Sequence, residues 1–65
     1  MKIKTVSSWL KIIEVSMDDG RIHLMHKNDL VATLNGNDLD IEPVLPLTIR
    51  DFIDNKWLAA RGLEG

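Results

Sequence analysis

The chain has sixty-five residues, 45% of them hydrophobic and 28% charged, with no cysteine and a net charge of −2. That length fits one domain, residues 1–65, with the apolar content of a folded chain, and the missing cysteines exclude a disulfide framework and a thiolate metal site. The mild acidity gives no general advantage on nucleic acid, where binding rests on neutralising phosphates.

Two expectations follow from the same numbers. A chain this short buries only about 60% of its unfolded surface, so a homodimer is an expected source of extra stability. The N-terminal Met1-Lys2-Ile3-Lys4 has no apolar run behind it, and no stretch reaches the roughly 18 apolar residues of a membrane span. A cytoplasmic location is expected.

In chain order, residues 2–6 read as a first strand, and Trp9 to His26 carries the clearest strand signal. Asp19-Gly20 reads as a two-residue hairpin turn, since both central positions of that turn need positive φ. Its register sets Met17 opposite Ile22, Val15 opposite Leu24 and Ile13 opposite His26, one mainly apolar face. Ser16, Glu14 and Ile12 then share the other face with His23, Met25 and Lys27. From Leu30 to Ile41 the strongest signal is Asn35-Gly36, a type I′ turn that sets Leu34 beside Asn37, Ala32 beside Leu39 and Leu30 beside Ile41. A rival reading caps a short helix at Asn28 and runs it to Leu34. It would have barely two turns, so the second hairpin is preferred.

Pro43 and Pro46 close the sheet region, since proline cannot donate to a ladder. A helix is predicted over 48–61. Thr48 is its expected N-cap with Asp51 three residues on, and Leu47 and Phe52 form a hydrophobic staple. Ile49, Phe52, Ile53, Trp57 and Ala60 mark the buried stripe, with the stem of Lys56 lying along it. Gly62 is the left-handed stop, and Leu63 folds back on Leu58. The expected fold is α+β: a small antiparallel β-meander of four to five short strands (about 2–44) packed by one C-terminal amphipathic helix.

Catalytic machinery is not expected. His23 and His26 are three apart on a strand and face opposite ways, so they cannot share a metal. Asp18-Asp19 is explained by turn chemistry. Asp38 and Asp40 share a face but lack the ligand number of a calcium site. Ser7, Ser8 and Ser16 lie outside any nucleophile elbow, and no glycine-rich phosphate loop occurs. No cofactor is expected.

Binding is the remaining class, and charge is segregated in a way that bears on it. Residues 1–27 carry Lys2, Lys4, Lys11, Arg21 and Lys27 against three acids, whereas residues 28–47 carry Asp29, Asp38, Asp40 and Glu42 and no base. The preferred expectation is a small protein-binding regulator, an inhibitor or adaptor. It would dock through a sheet edge or through Trp57, Leu58 and Arg61 at the helix end, since Trp and Arg are favoured interface anchors. The alternative is a dimeric nucleic-acid-binding regulator using Lys2, Lys4, Trp9 and Lys11, the chain's basic-plus-aromatic grouping. A structural subunit of a larger assembly is the third.

Two partial resemblances bear on these alternatives. Met1-Lys2-Ile3-Lys4-Thr5-Val6-Ser7-Ser8-Trp9, and Leu39-Asp40-Ile41-Glu42-Pro43-Val44 followed by Leu47-Thr48-Ile49, resemble the swapped-hairpin antitoxin and transition-regulator group. That resemblance implies a DNA-binding dimer. It covers under half the chain and lacks the group's Gly-Asn after the tryptophan. A meander capped by a C-terminal helix also resembles chromo-type domains, whose aromatic cage this chain could build only from Trp9, Trp57 and Phe52.

Overall fold

The structure, a computed structural model, describes residues 1–62; the expected contact of Leu63 with Leu58 lies outside that range. Strands β1 (Lys2–Ser7), β2 (Ile12–Ser16), β3 (Ile22–His26), β4 (Asp29–Asn35) and β5 (Asp38–Ile41) precede one helix, α1, over 47–60. They form a single antiparallel sheet in the order β1-β2-β3-β4-β5. The α+β meander is therefore what forms, and residues 29–34 are strand, not a short helix.

The first hairpin differs from its expected register by one residue. Its loop holds three residues, Asp18-Asp19-Gly20: Met17 N–H donates to the Arg21 carbonyl at 2.8 Å and Gly20 N–H donates to the Met17 carbonyl at 3.1 Å. Gly20 sits at φ 96°, the left-handed residue that closes such a loop. Asp19 holds the turn further, accepting from Arg21 N–H at 3.0 Å and Nε at 2.8 Å. Ser16 consequently faces Ile22, Glu14 faces Leu24 and Ile12 faces His26. A one-residue slip turns a whole strand over. Ile12 and Glu14 go to the core side, while Ile13 and Val15 turn to the sheet's outer face.

The second hairpin turns at Gly36-Asn37, not Asn35-Gly36, since Asn35 pairs with Asp38 and Leu34 with Leu39. Gly36 at φ 62° takes the first central position alone, the type II′ pattern. This shift is even, so Ala32, Leu34, Leu39 and Ile41 keep the common face expected for them. Between β3 and β4 the pairs step from Leu24–Ala32 to Met25–Leu30. Val31 is thus the bulged residue, buried beside Ala32, and Leu30 turns outward.

Two lysines occupy turn positions that normally go to glycine or asparagine. Lys11 lies at φ 59° and Lys27 at φ 58°, and Lys27 N–H donates to the Lys11 carbonyl at 3.2 Å. A side chain in that region costs about 1–2 kcal/mol, part of which glycine returns through its freer unfolded state. Lys27→Gly is expected to raise stability by about 0.5–1 kcal/mol, read as a higher urea midpoint at unchanged m.

Helix α1 departs from its expected start and from regular winding. Its N-cap is Pro46, whose carbonyl accepts from Ile49 and Arg50 N–H at 3.1 Å. Thr48 thus lies inside the first turn and makes no side-chain cap. The staple is absent as well, because Leu47 is exposed. Over Ile53–Trp57 the helix widens to a π-turn, with Leu58 N–H donating to the Ile53 carbonyl five residues back. On an uninterrupted helix Leu58 would lie two and a half turns from Ile49, on the opposite side. The extra residue in the wide turn brings Trp57 and Leu58 inward together. Ala60, expected in the stripe, is exposed, and Gly62 at φ 77° ends the helix as expected.

The core sits between the sheet's inner face and α1. Ile12, Leu24, Val31, Ala32 and Leu34 pack against Ile49, Ile53, Trp57 and Leu58. The helix covers this face only, leaving β1 and β5 as the edges of the sheet.

Candidate functional site

The slipped register places one carboxylate on the core face. Glu14 is buried, accepting from Trp57 Nε1–H at 2.8 Å and from Arg61 Nη2 at 2.5 Å. The Arg61 guanidinium lies over the Trp57 ring, 5.2 Å from its centre. Burial pushes the Glu14 carboxyl upward in pKa. The hydrogen bonds from Arg61 and Trp57 and the charges of Arg61 and Lys4 outweigh that, holding it below the ordinary value. Among the described residues no buried side-chain polar atom lacks a partner. Glu14, Trp57 and Arg61 therefore form a satisfied lock tying α1 to β2.

Lys4 stands directly opposite Glu14 in the β1–β2 ladder and so shares its side of the sheet. Between β1 and α1 runs an open groove. One part, about 460 Å³, is bounded by Lys4, Thr5, Phe52, Lys56, Trp57 and Arg61. The next, about 390 Å³, is bounded by Ser7, Trp9, Leu10, Asp51, Phe52 and Lys56. Phe52 and Lys56 border both parts, so the two run end to end. Among the described residues the Lys4–Arg61 end carries three cations around one acid. The other end is apolar under Trp9, which stands 83% exposed on the loop after β1. That loop is pinned by Leu10 N–H donating to Ser7 Oγ at 3.2 Å.

The outer side of β1 is also open. Ile3 and Thr5 pair with Val15 and Ile13, continuing toward Met25 and Leu30 across the sheet. Ile3 is 64% and Leu30 42% exposed, an apolar stripe on a face that water usually makes polar. His23 shares that face, its Nδ1 hydrogen-bonded with Thr33 Oγ1 at 3.0 Å.

The structure redistributes the residues expected to bind. Trp57 and Leu58 are 4% and 3% exposed and Arg61 is held by Glu14, so the expected docking trio is two core residues and one member of the Glu14 lock. Lys2 and Lys11 are not brought together. Lys2 pairs with Ser16 at one end of β2, and Lys11 precedes the other end, about 17 Å away at strand rise. Lys4 and Trp9 do border one groove. Trp9 lies in a turn and not in a strand. Glu14, Phe52 and Lys56 were missed as site residues. The available signal was Trp57 and Arg61 four apart on a helix, one turn that can present both groups to a single carboxylate.

Comparison with family models, with curated proteins and with solved structures gives no match for this chain in any of the three. Among the described residues no helix is long and apolar enough to cross a membrane, and no cluster of three metal-ligating side chains occurs.

Proposed function

We propose that this chain is a non-catalytic protein-binding module of the cytoplasm, an inhibitor or adaptor that takes an extended segment of a partner protein onto β1. The observation that carries this reading is the openness of β1. It is an edge strand whose residues Lys2, Ile3, Lys4 and Thr5 are all exposed. An edge strand offers backbone donors and acceptors to an incoming strand, and side-chain surfaces beside it supply selectivity. Here those surfaces are the groove on one side and Ile3 with Val15 on the other. Trp9 adds a large aromatic at the end of the strand, the residue type that most often anchors interfaces.

Site-specific photo-crosslinking tests this. A crosslinker at position 3 in source-cell lysate is expected to capture one protein in a nuclease-resistant adduct. The same crosslinker at position 40, on β5, is expected to capture none of it. Capture of nucleic acid from position 3, or equal capture from both positions, would contradict the reading.

A further inference from the structure

The pattern of β1 specifies the chemistry of the segment that would pair with it. A strand added to an edge continues the sheet, so its side chains alternate between the two sides. On the groove side such side chains meet Lys2 and Lys4, with Lys56 and the Glu14-paired Arg61 facing them; among the described residues the further acid on the groove is Asp51, at its Trp9 end. On the outer side they meet Ile3, beside Val15 and Ile13. Lysines on an edge strand ordinarily keep other strands away. An acidic strand turns that repulsion into attraction, while a basic strand, or β1 of a second copy, is still refused.

We propose that the segment β1 accepts is an extended peptide alternating acidic and apolar residues, its acids over Lys4 and Lys56 and its apolar residues beside Ile3. This rests on the reading of β1 as the docking strand. The groove adds a direction: toward Ser7 its surface is mainly apolar beneath Trp9 and Phe52, with Asp51 and Lys56 at its border. The residue reaching that end is bulky and apolar.

The test is a titration of isotope-labelled protein followed by NMR, with an octapeptide of alternating Glu and Val as probe. Expected are shifts centred on the amides of residues 2–7 and the Trp9 indole, with smaller ones at Phe52 and Lys56 across the groove. Affinity should be at least tenfold weaker for the Lys/Val counterpart, and no shifts should appear with a Glu/Val peptide N-methylated at alternate residues. Lys2→Glu with Lys56→Glu should reverse the preference between the two peptides. Both residues are exposed, so an unchanged Tm will show that the fold persists; Lys4 is spared because it faces Glu14. Equal binding of both peptides, or shifts centred on β5, would overturn the proposal. Binding of neither peptide, with partner capture from position 3 intact, would overturn the acidic-apolar class and leave β1 as the docking strand. Loss of both results would remove both readings. The alternating β5 segment Asp38-Leu39-Asp40-Ile41-Glu42 makes a second copy the rival occupant. Sedimentation showing self-association that Asp38→Lys abolishes would overturn the proposal in that copy's favour.

Discussion

Trp57→Ala is expected to leave the chain largely unfolded at 25 °C. The indole is 4% exposed and packs in the same cluster as Ile12, Leu24 and Ile53, each fully buried. Truncating a buried tryptophan costs about 3–5 kcal/mol, and a core of this size rarely supplies more than about 3–5 kcal/mol in total. The loss is also chemical, because Glu14 forfeits the donor that Trp57 Nε1–H provides. Trp57→Phe separates the two effects. It keeps most of the packing, loses the N–H, and is expected to cost about 1–3 kcal/mol. Far-UV circular dichroism with urea titration distinguishes them. A Trp57→Ala protein melting within a few degrees of the parent would show that the core does not depend on this residue.

Arg61→Ala is the second large effect, and its size depends on pH. Removing one partner of a buried ion pair costs about 3–5 kcal/mol. The Arg61 side chain is 28% exposed, so the expected cost at pH 7 is lower, about 2–3 kcal/mol. Glu14 has a folded pKa below its ordinary value of 4.5. Its contribution is therefore fully present above about that pH and is lost as pH falls through the folded value. The gap between parent and Arg61→Ala should be widest at neutral pH and close as Glu14 takes up its proton. Asp19, in the exposed turn, is also lowered, chiefly by the Arg21 backbone N–H; it is common to both proteins and drops out of the difference. Urea midpoints from pH 7 down to pH 3 measure the gap. A gap that stays constant would mean that Arg61 acts through packing on Trp57 and not through the carboxylate.

The fold was largely legible because its signals are local. Alternation marks the strands, Gly-containing turns separate them, and a 3.6-residue stripe ending at Gly62 marks the helix. What escaped is set by finer or longer-range physics. Asp18-Asp19-Gly20 supports either a two-residue or a three-residue loop, and the choice decides which side of β2 faces the helix. With the shorter loop, Ile13, Val15 and Met17 make the better apolar face. The longer loop sacrifices that pattern and puts Glu14 inside, which works only because Trp57, 43 residues away, and Arg61 satisfy it. Nothing local to Glu14 announces those partners. The π-turn is hidden for the same reason, since on a regular helix Leu58 falls on the side opposite Ile49. The groove was half legible. Lys4 and Trp9 stood out in the sequence, but Phe52 and Lys56 join them only once the helix is laid across the sheet.

The same displaced register leaves Ile13 and Val15 beside Ile3 on an open face, the outer side of the edge strand proposed to take the partner. The most direct test of that strand is amide hydrogen exchange of the free protein and of its complex with the partner captured from position 3. If β1 takes the partner, new protection is concentrated in Lys2–Ser7 with little change in Asp38–Ile41. Protection confined to β5, or spread over the outer face with Lys2–Ser7 exchanging as in the free protein, would contradict it.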